Sequence, residues 1–143
     1  MTDKELLLKD LCARLPYGVK TIYKNIIMEV FVISTFLNDM CCLKWDSHKG
    51  YFNQTHAHIG EFKPYLRPMS SMTEEECDII EEILGDNCIF DFMGNGDIIL
   101  HKGNFTQKTL SKLYDFYNSI HVDYRGLIPK GLALEAPEGM YKH

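Results

Sequence analysis

Three short stretches of this 143-residue chain set an arginine close to a tyrosine at a bend made rigid by proline or glycine. They are Arg14-Leu15-Pro16-Tyr17-Gly18, Pro64-Tyr65-Leu66-Arg67-Pro68 and Asp123-Tyr124-Arg125-Gly126. A guanidinium forks onto phosphate or carboxylate, and a tyrosine ring offers its face to a base or a cation. If the bends converge, Arg14, Tyr17, Tyr65, Arg67, Tyr124 and Arg125 form a pocket for a small anionic ligand such as a nucleotide. The plainer alternative is architectural: Arg67 or Arg125 pairs with Asp123, and the tyrosines cover the core as a clamp for the tail.

A second group is built from imidazoles. His56 and His58 stand two apart, so on a strand they share a face, and Asp46 and His48 precede them. Three nitrogens and one oxygen would suit zinc, and a small metal-dependent hydrolase or nuclease is the alternative function this set suggests. H-x-H also arises readily without a metal, as hydrogen-bonded or exposed loop histidines. Nothing else in the chain anchors catalysis: it contains no G-x-S-x-G elbow, no C-x-x-C pair and no glycine-rich phosphate loop. No motif calls for a cofactor. The five cysteines, Cys12, Cys41, Cys42, Cys77 and Cys88, read as buried thiols of a reducing compartment.

These side chains need a scaffold, and the elements are legible. Thr2 and Glu5 have capping-box spacing ahead of an apolar stripe of Leu8, Leu11, Cys12 and Leu15, which Pro16 ends. Val19–Tyr23, Ile27–Phe36 and Cys41–Trp45 are rich in β-branched and aromatic residues and read as strands. The second of them is apolar on both faces, as a central strand covered on both sides would be. Asp46–Thr55 reads as a polar loop and Ala57–Tyr65 as a returning extended segment. Leu37-Asn38-Asp39-Met40 is the expected turn into the third strand. Thr73 and Glu76 form a second capping box, after a linker at Pro68–Met72, and Ile79, Ile80, Ile83 and Leu84 make a buried stripe that Gly85 stops. Gly94-Asn95-Gly96 between Cys88–Met93 and Asp97–His101 predicts a hairpin. A third helix starts near Thr106, stapled by Phe105 and Leu110, and its apolar face continues through Leu113, Tyr114, Tyr117 and Ile120. From His121 onward glycines and prolines predict an irregular tail. The expectation is a single α+β domain, residues 1–143, with a mainly antiparallel sheet of five to six strands, three helices and an irregular C-terminal tail.

Composition narrows the function classes. Hydrophobic residues are 45% and charged residues 24% of the chain, as in an ordinary folded domain, so a core forms without metal or disulfides. A net charge of −5 argues against a general nucleic-acid coat. Six acidic residues and no basic one fall between Thr73 and Leu84. Such a face either docks a basic partner or is simply solvated, and its N-terminal glutamates suit the helix dipole. Met1–Glu5 is polar and acidic, and the most apolar stretch, Ile26–Leu37, is short and interrupted by Glu29. The expected location is therefore cytoplasmic, with no membrane partner.

Four strings resemble a family of small uncharacterised proteins from gut Bacteroidales genomes, mobile elements and phages. They are LLLKDLCARLPYGVK from Leu6, KPYLRPMSSMTEEE from Lys63, DYRGLI from Asp123 and GLALEAPEGMY from Gly131. Together they cover about a third of the chain. The stretches between depart from the family, and Ile120-His121-Val122 stands where its members often carry a His-His-Phe run. The resemblance implies a bacterial or phage cytoplasmic protein and carries no activity with it. The function expected is a non-enzymatic binding module, encoded by a phage or mobile element. Its partner would be a host protein or a small anionic ligand, and homo-oligomerisation is left open.

Overall fold

Thr2 starts the first helix as its spacing predicts. Its hydroxyl accepts the Glu5 amide at 3.1 Å, and the Glu5 carboxylate accepts the Thr2 amide at 2.8 Å. A computed structural model of the chain describes residues 1–34, 39–46, 52–85, 90–92, 98–100 and 107–141. The elements in chain order are α1 (Asp3–Arg14), β1 (Lys20–Tyr23), β2 (Ile26–Ser34), β3 (Met40–Asp46), β4 (Phe52–His58), β5 (Lys63–Leu66), α2 (Glu74–Leu84), β6 (Phe90–Phe92), β7 (Ile98–Leu100), α3 (Gln107–Ser119) and β8 (Leu134–Glu135). This is the expected α+β class. Leu37-Asn38, His48, Cys88, the Gly94-Asn95-Gly96 turn and Phe105 lie outside the described residues. The chain divides into two compact units: Met1–Leu66 with Arg125–His143, and Arg67–Tyr124.

The first unit is built on a six-stranded sheet in the order β4-β3-β2-β1-β5-β8, antiparallel except where β8 runs parallel to β5. Tyr23 faces Ile26 across a two-residue loop in which Lys24 (φ +49°) and Asn25 (φ +64°) are both left-handed. That is the signature of a primed turn, whose twist matches the strands it joins. Leu7 and Leu11 of α1 pack with Met28, Val30, Cys41 and Leu43 from the sheet, and Leu127 and Ala133 of the tail join the same core. Each leucine, valine or methionine side chain among them, removed from water, contributes about 1.5–3 kcal/mol.

Three expectations are corrected in this unit. The buried face of α1 carries Leu7, Asp10, Leu11 and Arg14, with Leu8 and Leu15 half-buried against the same core, and Cys12, expected in the stripe, is exposed. A pattern of apolar residues misplaces this face because an ion pair occupies part of it. Residues 52–55, expected in a loop, belong to β4, whose Asn53 and Gln54 are exposed at the sheet's edge. An edge strand with a solvated face needs no apolar alternation to form. Finally, β2 buries only the face of Met28 and Val30, while Ile27 and Val32 on the other face are 50% and 42% exposed.

Gly18 ends the Leu15–Tyr17 turn of 3-10 helix at φ +72°. A Cβ there would sit 2.7 Å from the Glu29 carboxylate. Gly18→Ala is therefore expected to cost about 1–2 kcal/mol, since a left-handed L-residue is strained even if Glu29 swings aside. Urea unfolding checks it, and a variant as stable as the parent would show the turn relaxing freely.

The second unit pairs α2 with α3. Thr73 caps α2 through the second capping box, and Gly85 (φ +78°) closes it with its amide on the Glu81 carbonyl at 3.0 Å. Ile80 and Leu84 pack with Leu113, Tyr117, Ile120 and Val122, whereas Ile79, expected in the buried stripe, is 40% exposed. Tyr114, expected on the apolar face of α3, is 46% exposed. At the end of α3, His121 takes φ +62° and donates its amide to Asn118 O, while Val122 donates to Tyr117 O, both at 3.2 Å. This is a Schellman closure with histidine in the position usually held by glycine. β6 and β7 pair antiparallel from Phe90↔Leu100 to Phe92↔Ile98, as the hairpin reading expects.

Candidate binding face

The three Arg–Tyr bends contribute to two different units. In the first unit, Arg14 forks onto Asp10 one helical turn earlier, Nε to Oδ2 at 2.8 Å and Nη2 to Oδ1 at 3.1 Å, with both side chains fully buried. Arg125 reaches the same carboxylate, its Nε 3.2 Å from Oδ1. The structure thus brings Arg14 and Arg125 together, with Asp10 between them. Tyr17 lies at the surface of that unit, 40% exposed, on its short 3-10 turn.

Tyr65 is half-buried in β5, and its main chain matters more than its ring. The Tyr141 hydroxyl accepts the Lys20 amide at 2.8 Å and donates to the Tyr65 carbonyl at 2.7 Å. Thr21 pairs with Pro64 and Ile22 with Lys63 in the β1–β5 ladder, so Lys20 and Tyr65 stand one step beyond it. A phenol from the tail takes the place of the next rung. Burial is the main influence that pushes this phenol's pKa up, which keeps the proton it donates.

In the second unit, Arg67 has all five guanidinium N–H donors engaged. Nε donates to Ser71 Oγ at 3.3 Å, Nη1 to Glu76 Oε2 at 2.8 Å and to the Ile120 carbonyl at 3.2 Å, and Nη2 to the Ser71 carbonyl at 2.9 Å and Glu76 Oε1 at 2.7 Å. Its carboxylate partner is Glu76 rather than Asp123. Its main chain is paired with the segment before Tyr124, through the His121 carbonyl and the Asp123 amide, both at 2.8 Å. Tyr124 stacks on Tyr114 at 5.3 Å between ring centres and donates its hydroxyl to Asn118 at 3.0 Å.

Glu76 departs from the solvated face expected of the acidic residues between Thr73 and Leu84. It is buried, and although burial pushes its carboxyl up, the Arg67 and Thr73 hydrogen bonds and the Arg67 charge hold it below its ordinary 4.5. The folded state therefore binds fewer protons at this site than the unfolded chain as pH falls through that range, and stability is lost as the group protonates. Acid unfolding of the parent is expected to steepen below about pH 4.5, whereas Glu76→Gln should show a flatter acid limb from a lower starting stability. Parallel acid limbs in urea titrations at stepped pH would refute this.

Three of the thiols have their pKa raised. Cys41 is buried and pushed up to about 12, by burial first and then by Cys12, Cys42 and Asp39, and burial raises Cys12 and Cys77 as well. The reading of all five cysteines as buried is corrected: Cys12 is exposed, and Cys42 and Cys77 are half-buried. His56 and His58 do share a face of β4, in register with Cys42 and Met40. Among the described residues no three His, Cys, Asp or Glu side chains are placed to hold a metal ion, and no helix is long and apolar enough to cross a membrane.

What remains open among the described residues of the first unit is the outward face of its sheet, on which His56 also stands in register with Cys42 and Val32 and which the arginine reading passed over. One row crosses four strands, Gln54–Lys44–Glu29–Lys20, and neighbouring rows set Ile22 against Ile27 and Lys63, and Val32 against Cys42. A bulge between Val30 and Val32 gives Phe31 an extra position, and Lys44 lies over its ring at 5.7 Å. Beside the row is a cleft of about 300 Å³ lined by Lys20, Ile27, Met28, Glu29, Lys44 and Trp45. The signal for this face was present in β2, whose outward side carries Ile27 and Val32 as well as Glu29. No family model matches this chain, and neither a curated protein nor a solved structure does.

Proposed function

We propose that this chain is a non-enzymatic binding module and that the outward face of its six-stranded sheet takes a protein partner. The observation that supports this is the 50% and 42% exposure of Ile27 and Val32 on a strand in the middle of the sheet. Aliphatic side chains gathered on one flat face, rather than scattered, are characteristic of interaction surfaces. A small anion held by the Arg–Tyr bends has less support, because Arg67 has its donors engaged and Arg14 and Arg125 meet on a carboxylate. In this reading the protein works in a bacterial cytoplasm and is encoded by a phage or mobile element, as the resemblance of its four strings implies.

The test is cross-linking in cells that make the protein, followed by native mass spectrometry, for the parent and for Ile27→Lys with Val32→Lys. The parent is expected to carry a protein partner at defined stoichiometry and the variant to lose it. Surface changes of this kind alter stability by about 0.5 kcal/mol or less per site, so an unchanged melting curve certifies the fold. A partner retained equally by a folded variant would overturn the reading.

A further inference from the structure

We infer that the β4 edge of the six-stranded sheet pairs with β4 of a second copy of the chain, antiparallel and about a two-fold axis at Gln54. The inference goes beyond the proposed partner on the sheet face and does not depend on it. The sheet ends differently on its two sides. One side is closed by the two-residue β8, whereas β4 on the other is seven residues long and, among the described residues, no strand pairs with its outer side. Folded proteins blunt such an edge with a charge, a proline or a bulge. From Phe52 to His58 there is no Lys, Arg, Asp, Glu or Pro, and the register with β3 runs unbroken from Asp46↔Phe52 to Met40↔His58.

The ladder fixes which main-chain groups point outward. The Ile59 amide donates to the Asp39 carbonyl at 3.2 Å, one step past Met40↔His58. Hydrogen-bonded and non-hydrogen-bonded pairs alternate along an antiparallel ladder. Ala57, Thr55 and Asn53 therefore bond to β3, and Phe52, Gln54, His56 and His58 turn their amides and carbonyls away from it. The Glu61 amide already takes the His58 carbonyl at 3.0 Å, which leaves Phe52, Gln54 and His56. A second β4 laid antiparallel with Gln54 on Gln54 sets Phe52 against His56, so each of these outward amides meets an outward carbonyl. No other centre uses all three residues. The strand is thus complementary to itself, as a two-fold contact between identical chains requires, and it opposes no like charges across the axis.

Sedimentation equilibrium from micromolar to millimolar concentration tests this, on the parent, Gln54→Glu and Gln54→Pro. One strand pair is a small interface, so a reversible dimer with Kd in the micromolar range is expected of the parent. Gln54→Glu opposes two carboxylates on the axis, while within one chain the new carboxylate stands beside Lys44. It should keep its melting curve, weaken the dimer about tenfold and recover part of that loss as salt rises. Gln54→Pro removes an amide that points away from β3, where an edge strand tolerates proline, and should stay monomeric throughout. Amide exchange at Gln54 and His56 should slow as the parent dimerises. If the proline variant does not fold, the glutamate variant and the exchange rates carry the test. A parent that stays monomeric up to millimolar concentration would overturn the inference. So would a dimer that both Gln54 variants keep and Ile27→Lys loses, since the second copy would then sit on the sheet face.

Discussion

Replacing Asp10 by alanine should destabilise the first unit by about 3–5 kcal/mol, the range expected when one partner of a buried ion pair is removed and the other is left behind. The Asp10 carboxylate is fully buried, is forked by an equally buried Arg14, and is approached by Arg125 from the tail. Without it two guanidiniums face each other with their shared counter-charge gone, and the fully buried Arg14 regains no water without opening the core. A loss this large is a substantial fraction of the 5–15 kcal/mol that holds an ordinary domain folded, and should lower the melting temperature by on the order of 10–20 °C. Asp10→Asn keeps the shape and removes the charge, so it should fall between parent and alanine. Equilibrium urea unfolding measures both. A cost under about 1 kcal/mol for Asp10→Ala would mean that the arginines find water in the native state.

Removing one oxygen atom from the tail, in Tyr141→Phe, is expected to cost about 2–3 kcal/mol. The hydroxyl serves two main-chain groups at once, the Lys20 amide and the Tyr65 carbonyl. Phenylalanine keeps the packing of the ring but leaves both groups unpaired, and the desolvation cost of an unsatisfied buried group is about 1–3 kcal/mol. The damage should be local. Amide exchange at Lys20 is expected to quicken in the variant, together with exchange at Ala136, whose amide pairs with the Leu66 carbonyl where the tail joins β5. Exchange unchanged at Lys20 would indicate that its amide has found another acceptor and that the phenol is dispensable.

Both predictions concern residues from the strings on which the family resemblance was read. Asp10, Arg14 and Lys20 come from the first string, Tyr65 from the second, Arg125 from the third and Tyr141 from the fourth. Within the first unit these distant strings hold one another through a buried carboxylate and a bridging phenol. Arg67 and Glu76, both in the second string, do the same within the second unit. At Arg14, Arg67 and Arg125 the guanidiniums meet carboxylates of the chain itself. The groups that engage them were easy to overlook. Asp10 stands one helical turn before Arg14, a spacing that puts the two side chains on one face, and Glu76 already had a visible task in the capping box.

Local chemistry was readable from the amino acids alone. Thr2 with Glu5, Thr73 with Glu76, Pro16 before Gly18, and the strands on either side of Gly94-Asn95-Gly96 each depend on groups within a few residues, and those interactions form wherever the chain places them. Which side of an element faces inward was decided by the tertiary structure. β2 is apolar on both sides, so its composition was compatible with being covered twice, and only the position of α1 and the tail left Ile27 and Val32 facing water. In α1 a charged pair lies inside, so the buried face carries Asp10 and Arg14 beside Leu7 and Leu11 and leaves Cys12 exposed. Burial is set by what packs against a surface from far along the chain, and a guanidinium is equally at home gripping a ligand or a carboxylate of its own protein.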